Sequence, residues 1–134
     1  MLIKQTNLVL SLMSALMIGF SYPPFYGFLS WVAFIPLIEI WYKENPNKSF
    51  LYGYIFGFFS NLITLYWIGL NSGADKTTVL VSLIAALIYL SLFPGFFGLL
   101  ISFLLKKTEK AIFLIPIAWT SMELIRSFGP LGFP

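Results

Sequence analysis

The sequence contains no cysteine and no histidine among its 134 residues. The chain therefore offers no thiol nucleophile, no disulfide, no imidazole base and no zinc site of the usual kind. Charged residues are also scarce, at 10% against about 25% in a typical soluble domain. The net charge of +3 is small and scattered, unlike the basic face of a nucleic-acid-binding protein. We expect no cofactor, no metal and no nucleic-acid partner.

Apolar residues, in contrast, are abundant, at 59% of the chain against roughly 45–50% in soluble proteins. A domain of this size buries only about 60–70% of the surface that its unfolded chain exposes, so a packed core cannot hide them all. Aromatic residues make up 19% and lie within the apolar runs, where they are typical of lipid-facing and interfacial positions. This composition excludes a water-soluble globule and predicts a membrane protein.

Charged residues divide the chain into four apolar blocks, and Pro23-Pro24 splits the first of them in two, which gives five. A helix needs about 20 residues to cross a hydrocarbon core of roughly 30 Å. We therefore predict an all-α, polytopic transmembrane bundle of about five membrane-spanning helices, at residues 5–21, 25–42, 50–70, 77–105 and 111–128. Pro23-Pro24 breaks the first two helices apart, and the long fourth helix needs tilt or a kink at Pro94. A cleaved signal peptide is disfavoured because a double proline follows the first block and four more blocks come after it.

The lysines indicate how the bundle is oriented, because cytoplasmic loops near helix ends carry excess positive charge. With the amino terminus in the cytoplasm, six lysines lie on that side, and only Lys76 is clearly outside. The six are Lys4, Lys43, Lys48, Lys106, Lys107 and Lys110. This pattern predicts a cytoplasmic amino terminus and, after five crossings, an outer carboxyl terminus.

Two charged residues lie within the fifth block. Glu123 and Arg126 are three positions apart and so share a helix face. Glu123 lies about 18 Å along the axis from Ala111, where a charge costs at least about 2.5–3.5 kcal/mol. Either the two side chains form an ion pair that holds the helix against its neighbours, or they line a polar pocket on the outer side.

Two further features lie in the third helix. Gly53 and Gly57 have the small-xxx-small spacing that lets two helices approach closely, which predicts packing rather than substrate contact. Asn61 lies in mid-span, where its amide can bond across helices or hold a lipid headgroup.

The fifth block carries a recognisable motif. Pro116, Trp119, Glu123 and Arg126, followed by Gly132-Phe133-Pro134, match the spacing P-x-x-W-x-x-x-E-x-x-R and then G-F-P. The segment resembles the apolipoprotein N-acyltransferase family, whose pattern continues with tryptophan. Supporting features occur in family order along the chain: Phe20 to Pro24, Pro36-Leu37, Gly53 and Gly57, Tyr66-Trp67-Ile68, and Tyr89 to Phe93.

The resemblance implies a multi-pass enzyme of the bacterial inner membrane. Such an enzyme moves an acyl chain from a phospholipid, its acyl donor, to the diacylglyceryl-cysteine of a lipoprotein substrate. In this family a nitrilase-like periplasmic domain follows the helices and uses a Glu, Lys and Cys triad. Because this chain lacks cysteine, we expect it to be an amino-terminal fragment without catalytic residues.

The resemblance identifies three candidate functional residues in this chain. Trp119, Glu123 and Arg126 are candidates for binding substrate or for supporting the nitrilase-like domain. The alternative is a small polytopic scaffold or transporter component with no catalysis. Transport is disfavoured because the blocks show only one polar cluster and no inverted repeat.

Overall fold

The computed structural model describes residues 4–22, 26–128 and 132. These residues form helices and no strand, so the expected all-α class is confirmed. The α-helices are α1 (Gln5–Ser21), α2 (Leu29–Val32), α3 (Ile35–Lys43), α4 (Pro46–Leu65), α5 (Lys76–Leu105) and α6 (Ile115–Ser127). Two 3₁₀ helices, Tyr66–Leu70 and Glu109–Leu114, follow α4 and precede α6.

Two helical segments are long and apolar enough to cross a membrane. One is Pro46–Leu70, which joins α4 to its 3₁₀ extension, and the other is α5. Helix α1 is also apolar but has only 17 residues. By length and composition, the described residues thus supply two candidate spans, and the count of about five stays a prediction.

The prediction of one helix over residues 25–42 is wrong, because the structure divides that segment into α2 and α3. Pro36 lies in the first turn of α3 and has no N–H to donate to the carbonyl of Val32, the last residue of α2. The break predicted at Pro23-Pro24 lies outside the described residues.

Helix α4 differs from the predicted segment 50–70 at both ends. It begins earlier, at Pro46, because the side chain of Asn45 accepts a hydrogen bond from the backbone N–H of Lys48 at 2.9 Å. Its α-helical part ends at Leu65, and the remaining residues form the 3₁₀ helix.

The last two predicted segments also change at their starts. Helix α5 begins at Lys76, where the Asp75 carboxylate accepts from the N–H groups of Thr77 and Thr78 at 3.0 and 3.2 Å. It runs without interruption through Pro94 to Leu105. The segment 111–128 opens as a 3₁₀ helix, and α6 begins only at Ile115.

Helices α4 and α5 pack at a short distance through glycines. A β-carbon at Gly53 would contact the backbone oxygen of Pro94, and one at Gly57 would contact the Pro94 ring. A β-carbon at Gly98 would lie 2.6 Å from the carbonyl oxygen of Ser49. The predicted packing role of Gly53 and Gly57 is confirmed, since no side chain fits between the two helices at these positions.

An aromatic cluster fills the space between α3, α4, α5 and α6. The Phe97 ring lies 5.3 Å from the Trp41 ring and 5.1 Å from the Trp119 ring, both in edge-to-face geometry. The ring centroids of Phe34 and Trp119 are 4.6 Å apart. Edge-to-face pairs add about 0.5–1.5 kcal/mol each beyond the area that they bury, so this cluster holds α6 against the bundle.

Candidate functional site

One face of α6 lines a cavity of about 680 Å³. Trp119, Met122, Glu123 and Arg126 all lie on that face, because positions i, i+3, i+4 and i+7 fall on one side of an α-helix. The structure therefore brings Trp119, Glu123 and Arg126, the three candidate residues, to one site. Their assignment to substrate binding or domain support stays a prediction.

The other walls of the cavity come from the ends of several helices. Helix α1 contributes residues from its last turn, α2 and the segment after it contribute two, and α4 and its 3₁₀ extension contribute most of the rest. The residues among them with hydroxyl or amide side chains are Ser21, Tyr22, Ser30, Ser60, Asn61 and Thr64. A cavity lined by hydroxyl, amide and charged groups inside an apolar bundle can hold a polar ligand or water.

Glu123 and Arg126 do not form the ion pair that their spacing permits. Among the residues that the structure describes, the ion pairs are Lys4–Glu44, Lys43–Glu39 and Lys48–Glu44. The Nε atom of Arg126 is buried and has no hydrogen-bond partner in this part of the chain, whereas Glu123 is exposed. The Nε–H group of Arg126 is therefore available to an anionic oxygen entering the cavity.

Trp119 lies between the cavity and a second concavity. That second concavity is a groove of about 470 Å³ lined mainly by apolar residues of α2, α3, the second 3₁₀ helix and α6. Ser30, Phe34 and Trp119 line both spaces. We call the first space the polar cavity and the second the apolar groove.

A buried carboxylate, that of Glu44, lies at the end of the bundle where α1 and α4 begin. The sequence alone did not predict it. The Glu44 side chain is 6% exposed, and its Oε1 lies 2.9 Å from Nζ of Lys4, while its Oε2 lies 3.5 Å from Nζ of Lys48. The amide of Asn7 donates to the same Oε1 at 2.8 Å, and Ser102 donates to the Glu44 carbonyl at 3.0 Å. Glu44 thus joins α1, α4 and α5 at the end away from the polar cavity, and we call this arrangement the Glu44 clasp.

The clasp shifts the titration of both partners. The hydrogen bond from Lys4 holds the pKa of Glu44 below its ordinary value, despite burial that acts the other way. The hydrogen bond to Glu44, with its negative charge, raises the pKa of Lys4. Both side chains are therefore charged throughout the physiological pH range.

In the described residues, no group of three or more His, Cys, Asp or Glu side chains could hold a metal ion. The polar cavity itself contains one carboxylate and one guanidinium, and the latter is not a metal ligand. The chemistry that this site can perform is recognition of a polar group through hydrogen bonds and charge.

The fold and the site define an all-helical protein with membrane-length apolar helices around a cavity that carries buried polar groups. A family profile described as the apolipoprotein N-acyltransferase N-terminal domain matches residues 14–134. The chain belongs to this family. The recognition made from the motif of Trp119, Glu123 and Arg126 is thereby confirmed.

Three relatives, each called an apolipoprotein N-acyltransferase, match nearly the whole chain. The protein of Geobacter metallireducens is 28% identical over 98% of this chain. Those of Methylococcus capsulatus and Coxiella burnetii are 29% and 28% identical over 95% and 96% of it. The matches cover only 26%, 27% and 28% of the relatives themselves, so the chain spans about a quarter of their length. No solved structure matches the chain.

Proposed function

We propose that this chain is the amino-terminal membrane region of an apolipoprotein N-acyltransferase, which transfers an acyl chain from a phospholipid to the diacylglyceryl-cysteine of a lipoprotein. The observation that supports this most strongly is that Trp119, Glu123 and Arg126 line one polar cavity. These residues carry the family motif, and a polar cavity between apolar helices suits a lipid headgroup. The helices give lipids access to the site, and the nucleophile lies elsewhere.

The reacting groups belong to a nitrilase-like domain that follows the helices in the full-length enzyme. This chain has no cysteine and therefore cannot form a thioester by itself. Within the proposed enzyme, Arg126 holds an anionic oxygen of the lipid at the entrance, and Trp119 forms its apolar wall. Glu123 lines the same entrance and contacts polar groups of the lipid or of the domain above.

We place the protein in the bacterial inner membrane with its amino terminus in the cytoplasm and five crossings. The Glu44 clasp then lies on the cytoplasmic side with Lys4 and Lys48, and the polar cavity lies on the outer side. The length of the fifth crossing is compatible with this arrangement. Thirteen residues of α6 span about 20 Å, and the apolar 3₁₀ residues 111–114 add about 8 Å, against roughly 30 Å of hydrocarbon.

The test of this function is acyl transfer by a longer protein that carries both this region and the catalytic domain. Arg126→Ala should lower acyl transfer at least about tenfold, since a hydrogen bond to a charged group is worth about 1.5–3 kcal/mol and each 1.4 kcal/mol is tenfold. Lys76→Ala is the matched control, because Lys76 is an exposed cation outside the cavity. Normal transfer by a well-folded Arg126→Ala protein would contradict the proposed role of the cavity.

A second test is to read the coding sequence past the codon for Pro134. The proposal predicts that it continues with tryptophan, further helices and a soluble domain that contains Glu, Lys and Cys. A stop codon at that point in the native gene would instead favour the non-catalytic scaffold.

A further inference from the structure

The polar cavity and the apolar groove are adjacent and differ in chemistry. Their volumes, about 680 and 470 Å³, both lie within the roughly 300–1,000 Å³ of small-molecule sites. Among the described residues, the charged side chains Glu123 and Arg126 line the cavity and none lines the groove. The two spaces are therefore a polar compartment beside an apolar one.

Two rings form the boundary between these compartments. Phe34 and Trp119 line both, and their centroids are 4.6 Å apart with an interplanar angle of 71°. Ser30 also lies at the boundary, but its hydroxyl already donates to the Gly27 carbonyl at 2.7 Å. The passage from one compartment to the other therefore runs over aromatic surface.

The groove has the character of a hydrocarbon site. Its walls include the aliphatic side chains of Ile38, Ile112 and Ile115 and the ring of Pro116. The hydroxyl of Thr120 donates to the Pro116 carbonyl at 3.0 Å, so its hydrogen-bonding need is met within α6. A ligand in the groove gains by burying apolar surface, and the two hydroxyls on its wall, those of Ser30 and Thr120, are already bonded to backbone carbonyls.

We infer that one amphiphile occupies both spaces, with a singly negative headgroup in the polar cavity beside Arg126 and one hydrocarbon chain passing over Trp119 into the apolar groove. The inference rests on the proposed function, which brings a lipid to the cavity. It adds that the headgroup lies in the polar cavity and the hydrocarbon chain in the apolar groove. The planar guanidinium of Arg126 suits a phosphate oxygen pair. The carboxylate of Glu123 on the same wall repels further negative charge, so a phosphodiester is favoured over a phosphomonoester.

The groove is tested with two variants of neighbouring residues on α6. Thr120→Phe places a ring in the groove, whereas Ser121→Phe places the same ring on a part of the helix that lines neither space. The two positions are matched, because both are exposed and both hydroxyls bond to the carbonyl four residues earlier. Thr120→Val removes the hydroxyl without filling the groove.

Binding of lysophosphatidylglycerol, which has one chain and one negative charge, is measured on the purified 134-residue chain by native mass spectrometry. We expect a 1:1 complex that Thr120→Phe weakens about tenfold or more, the loss of about two buried methylenes. Ser121→Phe and Thr120→Val should bind as the unmodified chain does. Equal binding by both phenylalanine variants, each with an unchanged melting temperature, would overturn the assignment of the chain to the groove.

The coupling of the two compartments is tested with ligands of different length. A short-chain lysophosphatidylglycerol should bind more weakly, by about fourfold for each buried methylene removed, and Thr120→Phe should reduce that dependence. Inorganic phosphate should fail to displace the long-chain ligand. If phosphate displaced it with the same affinity, the cavity would be a phosphate site and the inference would be wrong.

Arg126→Gln separates this inference from the proposed function. It should weaken binding of the long-chain ligand about tenfold, while Lys76→Gln leaves binding unchanged. Unchanged binding by Arg126→Gln would overturn the headgroup assignment. Failure of the proposed function is seen in another measurement, acyl transfer by the longer Arg126→Ala protein, whereas lipid binding by the Thr120 and Arg126→Gln variants reports on this inference.

Discussion

The Nζ atom of Lys4 lies 2.9 Å from Oε1 of Glu44, so that the residue just before α1 is tied to a buried carboxylate between α3 and α4. Asn7 and Lys48 bond to the same carboxylate. Asn7 lies 37 residues before Glu44 in sequence, and Lys4 lies further away still. Closing so long a loop costs conformational entropy, and the clasp contributes to offsetting that cost.

We predict that Glu44→Gln destabilises the protein by about 2 kcal/mol, because hydrogen bonds to a buried charged group contribute about 1.5–3 kcal/mol. The control is Glu39→Gln. Glu39 pairs with Lys43 at 2.6 Å, but both side chains are exposed, and exposed pairs are worth about 0–1 kcal/mol. Denaturant unfolding of both variants in detergent measures the difference. Equal losses of unfolding free energy would show that burial of Glu44 contributes nothing.

Acid should weaken the clasp. The unfolded chain takes up a proton on Glu44 near the ordinary pKa of 4.5, whereas the folded chain does so only at a lower pH. The stabilisation is therefore present above about pH 4.5 and is lost as the pH falls through the lowered pKa. Melting temperatures of the unmodified chain and Glu44→Gln should converge as the pH drops below that value. A constant difference down to acid unfolding would contradict this prediction.

Lys4 sets the opposite limit. Its folded pKa is raised above the ordinary 10.5, so its contribution is complete below that pH and is lost as the pH rises through the raised value. Lys4→Met keeps a side chain of similar length without the charge. It should abolish any loss of stability at alkaline pH that comes from this contact.

The sequence could not identify the clasp for a physical reason. Glu44 stands between two charged or polar neighbours, where a carboxylate is ordinarily exposed. Its partners include Lys4 just before α1, Asn7 in α1 and Ser102 in α5. No local sequence pattern predicts that these side chains meet.

Part of the candidate site, in contrast, could be predicted from the sequence. The spacing of Trp119, Glu123 and Arg126 was enough to predict one shared face, because helix geometry is local. The cavity that this face meets depends on the ends of α1 and α4, so the sequence left open whether the two charges pair. The structure separates them and directs both to the cavity wall.

A proline within a predicted helix interrupts the helix in one case and not in the other. Pro36 ends one helix and starts another, whereas Pro94 remains inside a continuous α5. Pro94 is buried and its ring lies against Gly57, so tertiary packing holds the helix together across the missing hydrogen bond. Residue type alone does not distinguish these two outcomes.

Gly57→Ala should destabilise the bundle by about 1–3 kcal/mol, the usual cost of inserting a methyl group into a packed contact. The added β-carbon would meet the ring of Pro94, and the backbone of Ser91 lies 3.1 Å from the same position. Gly27→Ala is the control, since nothing described lies within 4 Å of a β-carbon there. Thermal melting in detergent should show a loss for Gly57→Ala alone. Equal melting temperatures would mean that α4 and α5 can move apart at no cost.

The absence of cysteine makes the proposed orientation directly testable, because any cysteine introduced is the only thiol in the chain. Ser72→Cys lies in the exposed segment before α5, and Thr108→Cys lies in the exposed segment after it. If the amino terminus is cytoplasmic, α5 runs inward. A membrane-impermeant maleimide added to intact spheroplasts should then label Ser72→Cys, and should label Thr108→Cys only after the membrane is permeabilised. The reverse pattern would invert the topology and place the polar cavity on the cytoplasmic side, and labelling of both sites in intact spheroplasts would show that α5 does not cross the membrane.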